Sequence, residues 1–195
     1  MRPELTGDAL VRLVHRYYPA GIDNNDVRYK RSEEGQRLQA LIETHVGRMP
    51  AWTAFVQRLR EEFAGCSIWD TTVPWHDPCY ECRVSLPGFV TGAPLYDSVV
   101  CLLSTLAPVY ALHVSHMEDK GPGLPRDHWM RFPPFPTEFQ AHEAKLAGLI
   151  ESTFGFTRLP NDILFFPVPD LVPRTSHRAL GEARLIDLLF TEHLW

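Results

Sequence analysis

The sequence predicts an α+β fold, in which N-terminal helices are followed by a mainly antiparallel sheet with one further helix packed on it. Apolar residues recur at helical spacing in the first third of the chain and at strand spacing after residue 65. The predicted strands also follow one another without a helix between each pair, which argues against a doubly wound parallel sheet. Because 195 residues suffice for one full-sized domain and are few for two, we expect a single globular domain over 1–195.

Three helices are predicted in the N-terminal third. The first begins near Thr6, a good N-cap residue, and ends before Gly21. The second covers 32–47. The third begins at Pro50, which suits a first helical turn, and ends at Gly65. Each helix carries one apolar stripe, so each is expected to pack one face on a core.

Short segments that are rich in β-branched and aromatic residues, and that are bounded by Pro and Gly, predict the strands. They cover 66–72, 80–86, 96–103, 108–115 and 163–168. The third and fourth of these are the most apolar, so we expect them to be the central strands of the sheet.

The remaining segments are less regular. The stretch 117–136 is rich in Pro and Gly and predicts a long loop, which in a compact domain is usually functional or disordered. Thr137 and Gln140 then form a capping-box pattern that opens a helix closed by Gly155. The segment 183–190 is nearly all apolar, and its pattern fits a helix and a strand equally.

Charge and composition narrow the class of function. The net charge is −5 and no basic run exceeds the cluster at 28–31, so binding to nucleic acid is not expected. An acidic excess suits a basic protein partner. No signal-peptide pattern follows Met1, and no apolar run approaches the roughly 18 residues that span a bilayer. We therefore expect a soluble cytoplasmic protein with no membrane contact and with reduced thiols.

One pair of cysteines has the spacing of a metal or redox site. Cys79 and Cys82 form a CxxC, and His76 lies just before it. A four-ligand zinc site needs a second pair, which the sequence does not offer. On a strand the two thiols also fall on opposite faces, away from the helix N-terminus that activates a redox CxxC. No cofactor is therefore predicted, and a metal- or thiol-dependent enzyme that uses these residues stays the alternative.

Two histidines have a spacing that would converge on a metal only if they lay on a helix. His113 and His116 lie in a strand pattern, where an odd offset places them on opposite faces. We expect one of them to face the core and to be hydrogen-bonded. Phosphate-binding loops, the nucleophile-elbow motif and the zinc-protease motif are all absent from the sequence. These absences favour a binding module over an enzyme.

Aromatic residues beside Pro-rich loops indicate an interface. Tryptophan and phenylalanine next to arginine and aspartate are typical of the hot spots of protein–protein interfaces. The stretch 126–135 is the strongest candidate. The predicted partner-binding residues are Trp75, Arg126, Asp127, Trp129, Arg131, Phe132 and Phe135.

The two ends of the chain carry a family resemblance. The segments LVHRYYPAG at 13–21 and LFTEHLW at 189–195 resemble the ends of small cytoplasmic immunity proteins of bacterial polymorphic or contact-dependent toxin systems. The resemblance implies tight binding of one protein partner, a cognate toxin, whose active surface is thereby covered, and it implies no catalytic residue. A homodimer that uses the apolar segment 183–190 as its interface is a third hypothesis.

Overall fold

The computed structural model of the chain describes residues 5–46, 49–73, 75–86, 95–118, 127–175 and 178–191. Helices occupy both ends of the described chain, and most of the strands lie between them. The helices are α1 (Gly7–Val14), α2 (Val27–Arg31), α3 (Glu33–Val46), α4 (Met49–Glu62), α5 (Thr137–Phe154), α6 (Asn161–Leu164) and α7 (Leu185–Leu189). The strands are β1 (Ser67–Asp70), β2 (Cys79–Ser85), β3 (Leu95–Ser104), β4 (Val109–Glu118), β5 (Asp127–Arg131) and β6 (Thr157–Arg158).

The sheet is a meander in which each strand pairs with the next. The order is β1-β2-β3-β4-β5, and all four pairings are antiparallel. The short β6 adds a parallel pairing to the first two residues of β4, beside the stretch that β5 leaves free. The structure confirms the predicted α+β class and places β3 in the middle of the sheet.

The two faces of the sheet carry separate hydrophobic clusters. Residues from α4 and α5 cover one face, where Trp52, Phe55 and Phe139 are buried against β2, β3 and β4. Residues from the first 42 positions and from 159–190 cover the other face. Tyr18 connects these two ends of the chain, because its hydroxyl donates to the carbonyl of Leu188 at 2.7 Å.

Local capping explains where the N-terminal helices begin. The Thr6 side chain accepts a hydrogen bond from the backbone N–H of Ala9, as an N-cap residue should. Ser32 separates α2 from α3. Its Oγ accepts from the N–H of Gly35 at 3.0 Å and donates to the carbonyl of Tyr29 at 2.8 Å. The first three predicted helices are confirmed, and α2 is an additional short helix.

Gly35 is required by this tight junction. A Cβ at Gly35 would lie inside contact distance of the Tyr29 carbonyl oxygen, which is backbone and cannot move alone. We expect Gly35→Ala to lower the free energy of unfolding by about 1–3 kcal/mol, measured by urea titration. Gly148 in α5 is the matched control, because a Cβ there meets nothing within 4 Å. Gly148→Ala should raise stability by about 0.4–1 kcal/mol, and an equal loss for both variants would contradict this account.

Three predictions about secondary structure need correction. The loop expected over 117–136 contains β5, which pairs with β4 from Val114 to Glu118, while 119–126 lies outside the described residues. The strand expected over 163–168 is wrong, because Pro160 opens the short helix α6 there. The predicted capping box is also absent. The helix begins at Thr137 after Pro136, and the Gln140 side chain bonds the Phe135 carbonyl instead.

The apolar C-terminal segment is a helix at its centre. Residues 185–190 are all buried, and α7 packs against α1. This segment therefore lies inside the protein and cannot supply the homodimer interface that its composition suggested. None of the described helices combines the length and the hydropathy needed to cross a membrane.

Candidate functional site

The structure separates the seven residues predicted to bind a partner. Trp75 is 54% exposed and Arg131 is also exposed, whereas Trp129 and Phe132 are half-buried and Phe135 is buried. Arg126 lies outside the described residues. Asp127 begins β5, and its side chain is likewise outside what the structure describes. Partner binding by this set stays a prediction, and Trp75 and Arg131 are the members whose side chains are exposed.

Trp129 on β5 is fixed by its neighbours. The ring of His116 stacks on it with centroids 4.9 Å apart and an interplanar angle of 10°. The guanidinium of Arg131 lies 5.4 Å from the Trp129 ring centroid, and His116 Nδ1 lies 2.7 Å from an oxygen of Asp97. The Trp129 ring and His116 Nδ1 therefore already have partners within the chain.

Phe132 and Phe135 serve the two cores. Phe132 packs edge-on against Phe165, with ring centroids 5.0 Å apart, and belongs to the cluster on the face of α1 and α7. Phe135 belongs to the opposite cluster and lies 5.5 Å from the guanidinium of Arg158. The chain thus crosses from one face of the sheet to the other between these two residues.

The exposed apolar residues concentrate at the other edge of the sheet. Trp69 on β1 is 45% exposed, and Val73 and Trp75 in the following turn are 46% and 54% exposed. We call these three residues the β1-edge surface. β1 pairs with β2 on one side, and no described strand pairs with its other side. Of these three residues, Trp75 is the one that the sequence predicted to bind a partner.

Hydrogen bonds hold the backbone under the β1-edge surface. Glu81 on β2 accepts from the Thr71 hydroxyl at 2.8 Å and from Arg83 Nε and Nη2 at 3.1 Å each. Asp70 accepts from the indole N–H of Trp52 at 3.0 Å and from the N–H of Thr72 at 3.1 Å. These hydrogen bonds hold in place the backbone that carries the exposed apolar side chains.

Polar side chains continue from Arg83 across the face of the sheet on which Arg83 lies. Ser85 and Ser98 are buried, and their Oγ atoms lie 3.1 Å apart. Ser115 on β4 is also buried, and its Oγ lies 3.3 Å from His128 Nε2. Together these side chains form a buried polar row across β2, β3 and β4, which continues to His128 on β5.

His113 lies beside this row without any hydrogen bond. Its side chain is fully buried, and neither Nδ1 nor Nε2 has a hydrogen-bond partner among the described residues. Burial, together with the positive charges of Arg83 and His128, lowers the pKa of His113 to about 3. His113 and His116 lie on opposite faces of β4, as predicted. The expectation that the core-facing histidine is hydrogen-bonded is wrong, because its neighbours across the strands are the apolar Val100 and Phe132.

The residues of the metal or thiol alternative do not converge. Cys79 belongs to the cluster on one face of the sheet and Cys82 to the cluster on the other, while His76 is exposed in the preceding turn. The Cys82 Sγ lies 3.1 Å from that of Cys101 on β3. Within the described ranges, no group of three or more His, Cys, Asp or Glu side chains could hold a metal ion.

The chemistry of the thiols also argues against a nucleophile. Burial raises the pKa of Cys79 well above its ordinary value. The hydrogen bond with Cys101, followed by burial, does the same for the pKa of Cys82. Because the thiolate is the reactive form, both thiols are protonated and unreactive at neutral pH.

Comparison with known proteins adds no relative. No protein-family model, curated protein or solved structure matches the chain. The fold and the surface define an α+β protein in which the two described tryptophans that are exposed, Trp69 and Trp75, lie on β1 and just after it.

Proposed function

We propose that this chain is a cytoplasmic protein-binding module, an immunity-type protein that binds one cognate toxin and neutralises it. The observation that carries the proposal is the β1-edge surface. Single exposed apolar residues are common on any protein, but here three fall within seven residues of one another. Tryptophan is the residue type most enriched at interface hot spots, and two of the three are tryptophan.

The free side of β1 offers a second means of recognition. A strand at the edge of a sheet presents unpaired N–H and C=O groups, which an extended segment of a partner can pair with. Trp69 lies on this strand, and Trp75 follows it by six residues. Backbone pairing would give affinity along β1, and the two indoles would give specificity.

Charge favours a basic partner. The chain carries a net charge of −5, and Asp70 is exposed within the strand that bears Trp69. Complementary charge speeds association and selects among partners more than it adds affinity. A toxin that acts on nucleic acid or on another anionic substrate has a basic active surface, and an acidic binding module is suited to cover it.

The test uses tagged wild-type chain and a Trp69→Ala/Trp75→Ala variant as baits in a lysate of the source cells, followed by mass spectrometry. We expect the wild type to capture one stoichiometric protein that arrests growth when expressed alone and is neutralised by co-expression of this chain. The double variant should bind that protein at least tenfold more weakly, a difference of about 1.4 kcal/mol or more.

Two valines supply a matched control. Val73→Ala removes two methyl groups within the β1-edge surface, and Val27→Ala removes the same groups at a residue that is 61% exposed on α2. The first should weaken binding and the second should not. Equal binding by the wild type and the double tryptophan variant would exclude this surface. A captured partner that leaves growth unaffected would exclude the immunity role.

A further inference from the structure

A polar cavity lies between the turn before α2 and the loop after α6. Its volume is about 520 Å³, within the range of small-molecule sites. Lys30, Arg174 and Arg178 line it together with one carboxylate, that of Asp23. The described lining therefore carries a net positive charge of two, although the protein as a whole is acidic.

The two walls of the cavity are held together by hydrogen bonds. The Asn24 side chain donates to the carbonyl of Pro173 at 3.1 Å. The hydroxyl of Tyr29 donates to the carbonyl of Val172 at 2.7 Å, and the N–H of Gly21 donates to the carbonyl of Asp170 at 2.8 Å. Because these bonds join segments almost 150 residues apart, the cavity is a fixed feature of the fold.

Arg174 is the unusual residue of this cavity. Its Nη1 is buried without a hydrogen-bond partner, and no described residue accepts from any other nitrogen of its guanidinium. Arg174 as a whole is half-buried, so the cost of a donor without an acceptor falls on the buried Nη1. Arg174 also lines an inner cavity of about 10 Å³, together with Asp77 and Asp187. That cavity has room for one water molecule at most.

Two other residues of the lining, Lys30 and Asp23, also have polar atoms without a partner among the described residues. Lys30 is exposed and forms no ion pair with a described carboxylate. Asp23 accepts from the N–H and the side-chain amide of Asn25, at 2.9 and 3.0 Å, through the same oxygen, Oδ1. Its Oδ2 has no donor among the described residues. Arg178, the third cation of the lining, pairs with Asp187 at 3.6 Å. The cavity therefore combines the donors of Lys30 and Arg174 with one carboxylate acceptor, Asp23 Oδ2.

We propose that this cavity binds a small hydroxylated oxyanion, a phosphate- or carboxylate-bearing metabolite. Its anionic group lies on Arg174 and Lys30, and one of its hydroxyl groups donates to Asp23 Oδ2. Arg174 binds phosphate and carboxylate in the same bidentate way, so the shared chemistry is the oxyanion. The lining of this site contains none of the three residues of the β1-edge surface, and the proposal does not depend on the proposed toxin partner.

Thermal unfolding and calorimetry of the purified chain test this proposal, with inorganic phosphate, ribose 5-phosphate and succinate as probes and sodium chloride at matched ionic strength as the reference. At ten times Kd, a bound anion should raise Tm by about 3–6 °C above the chloride reference. A larger shift with the phosphates identifies a phosphorylated ligand, and a larger shift with succinate identifies a carboxylate. No shift above chloride with any probe would overturn the proposal.

Matched variants distinguish the site from general surface charge. Arg174→Gln should abolish the anion-dependent shift and Lys30→Gln should reduce it several-fold, whereas Arg60→Gln on α4 makes the same charge change and should leave it intact. Without anion, Arg174→Gln should have nearly the stability of the wild type, because Arg174 makes no hydrogen bond to a described residue. Equal shifts in all four proteins would overturn the site. If Arg174→Gln fails to fold, Lys30→Gln decides the same question.

Discussion

Lowering the pH from 7 to 4 is expected to remove about 3 kcal/mol from the free energy of unfolding through His113 alone. The folded protein holds the pKa of this histidine at about 3, whereas the unfolded chain restores the ordinary value near 6.5. Between these two values the unfolded chain binds a proton that the folded chain does not. Stability is therefore full above about pH 6.5 and falls as the pH drops towards 3.

The variant His113→Leu isolates this contribution. It replaces an imidazole whose two nitrogens lack partners with an apolar side chain of similar volume. At pH 7 its free energy of unfolding should equal or exceed that of the wild type, because no hydrogen bond is lost. Between pH 7 and 4, urea titrations should show a loss smaller than that of the wild type by about 3 kcal/mol.

The exposed His76 provides the control. His76→Leu makes the same chemical change outside the core and should retain the full pH dependence of the wild type. Identical losses for the wild type and His113→Leu would mean that His113 titrates as an ordinary histidine. The charged neighbours on β2 and β5, Arg83 and His128, oppose its protonation and strengthen the expected effect.

The second large effect is expected from Trp52, which holds α4 on the sheet. The indole is buried and stacks on the Tyr80 ring of β2 with centroids 5.1 Å apart. It also contacts Phe55 and donates to Asp70. Trp52→Ala should lower the free energy of unfolding by about 3–5 kcal/mol, because it leaves a large cavity and frees one acceptor.

Trp69 is the matched control for this prediction, because the same deletion at its 45% exposed side chain leaves no buried cavity. Trp69→Ala should cost less than about 1 kcal/mol. Urea titrations of both variants provide the measurement. A similar loss for the two would show that α4 does not depend on the indole of Trp52. The same titration of the Trp69→Ala/Trp75→Ala protein verifies that the binding variant is folded.

The helices and central strands could be predicted because their signals are local. Thr6 caps α1 as its residue type suggests, and the continuous apolar runs in β3 and β4 reflect burial on both faces. The segment of β5 has no such signal. Its five residues, Asp127–Arg131, include two charges and become a strand only by pairing with the end of β4. A strand that depends on pairing with its neighbour leaves little trace in its own sequence pattern.

In the candidate sites too, features with a local signal could be predicted from the sequence, and features that depend on distant contacts could not. The exposure of Trp75 follows from its Pro-bounded turn, which sequence reasoning identified. The burial of Phe132 depends on Phe165, and the burial of Phe135 depends on residues of α5 and on Arg158. The pairing of Lys30 with Arg174 in one cavity joins residues far apart in the chain. No spacing rule brings such residues together.

The two clusters of the core draw on different parts of the chain. The cluster under α4 and α5 uses residues 49–156 only, whereas the opposite one packs residues before position 43 and residues after position 158 against the sheet. Closing a longer loop costs more conformational entropy. One layer of the protein is therefore built from a continuous internal stretch, and the other brings two distant segments together. Removal of the segment after residue 158 would take away about half of the apolar residues that these two segments contribute. Every residue that forms the first layer would still be present.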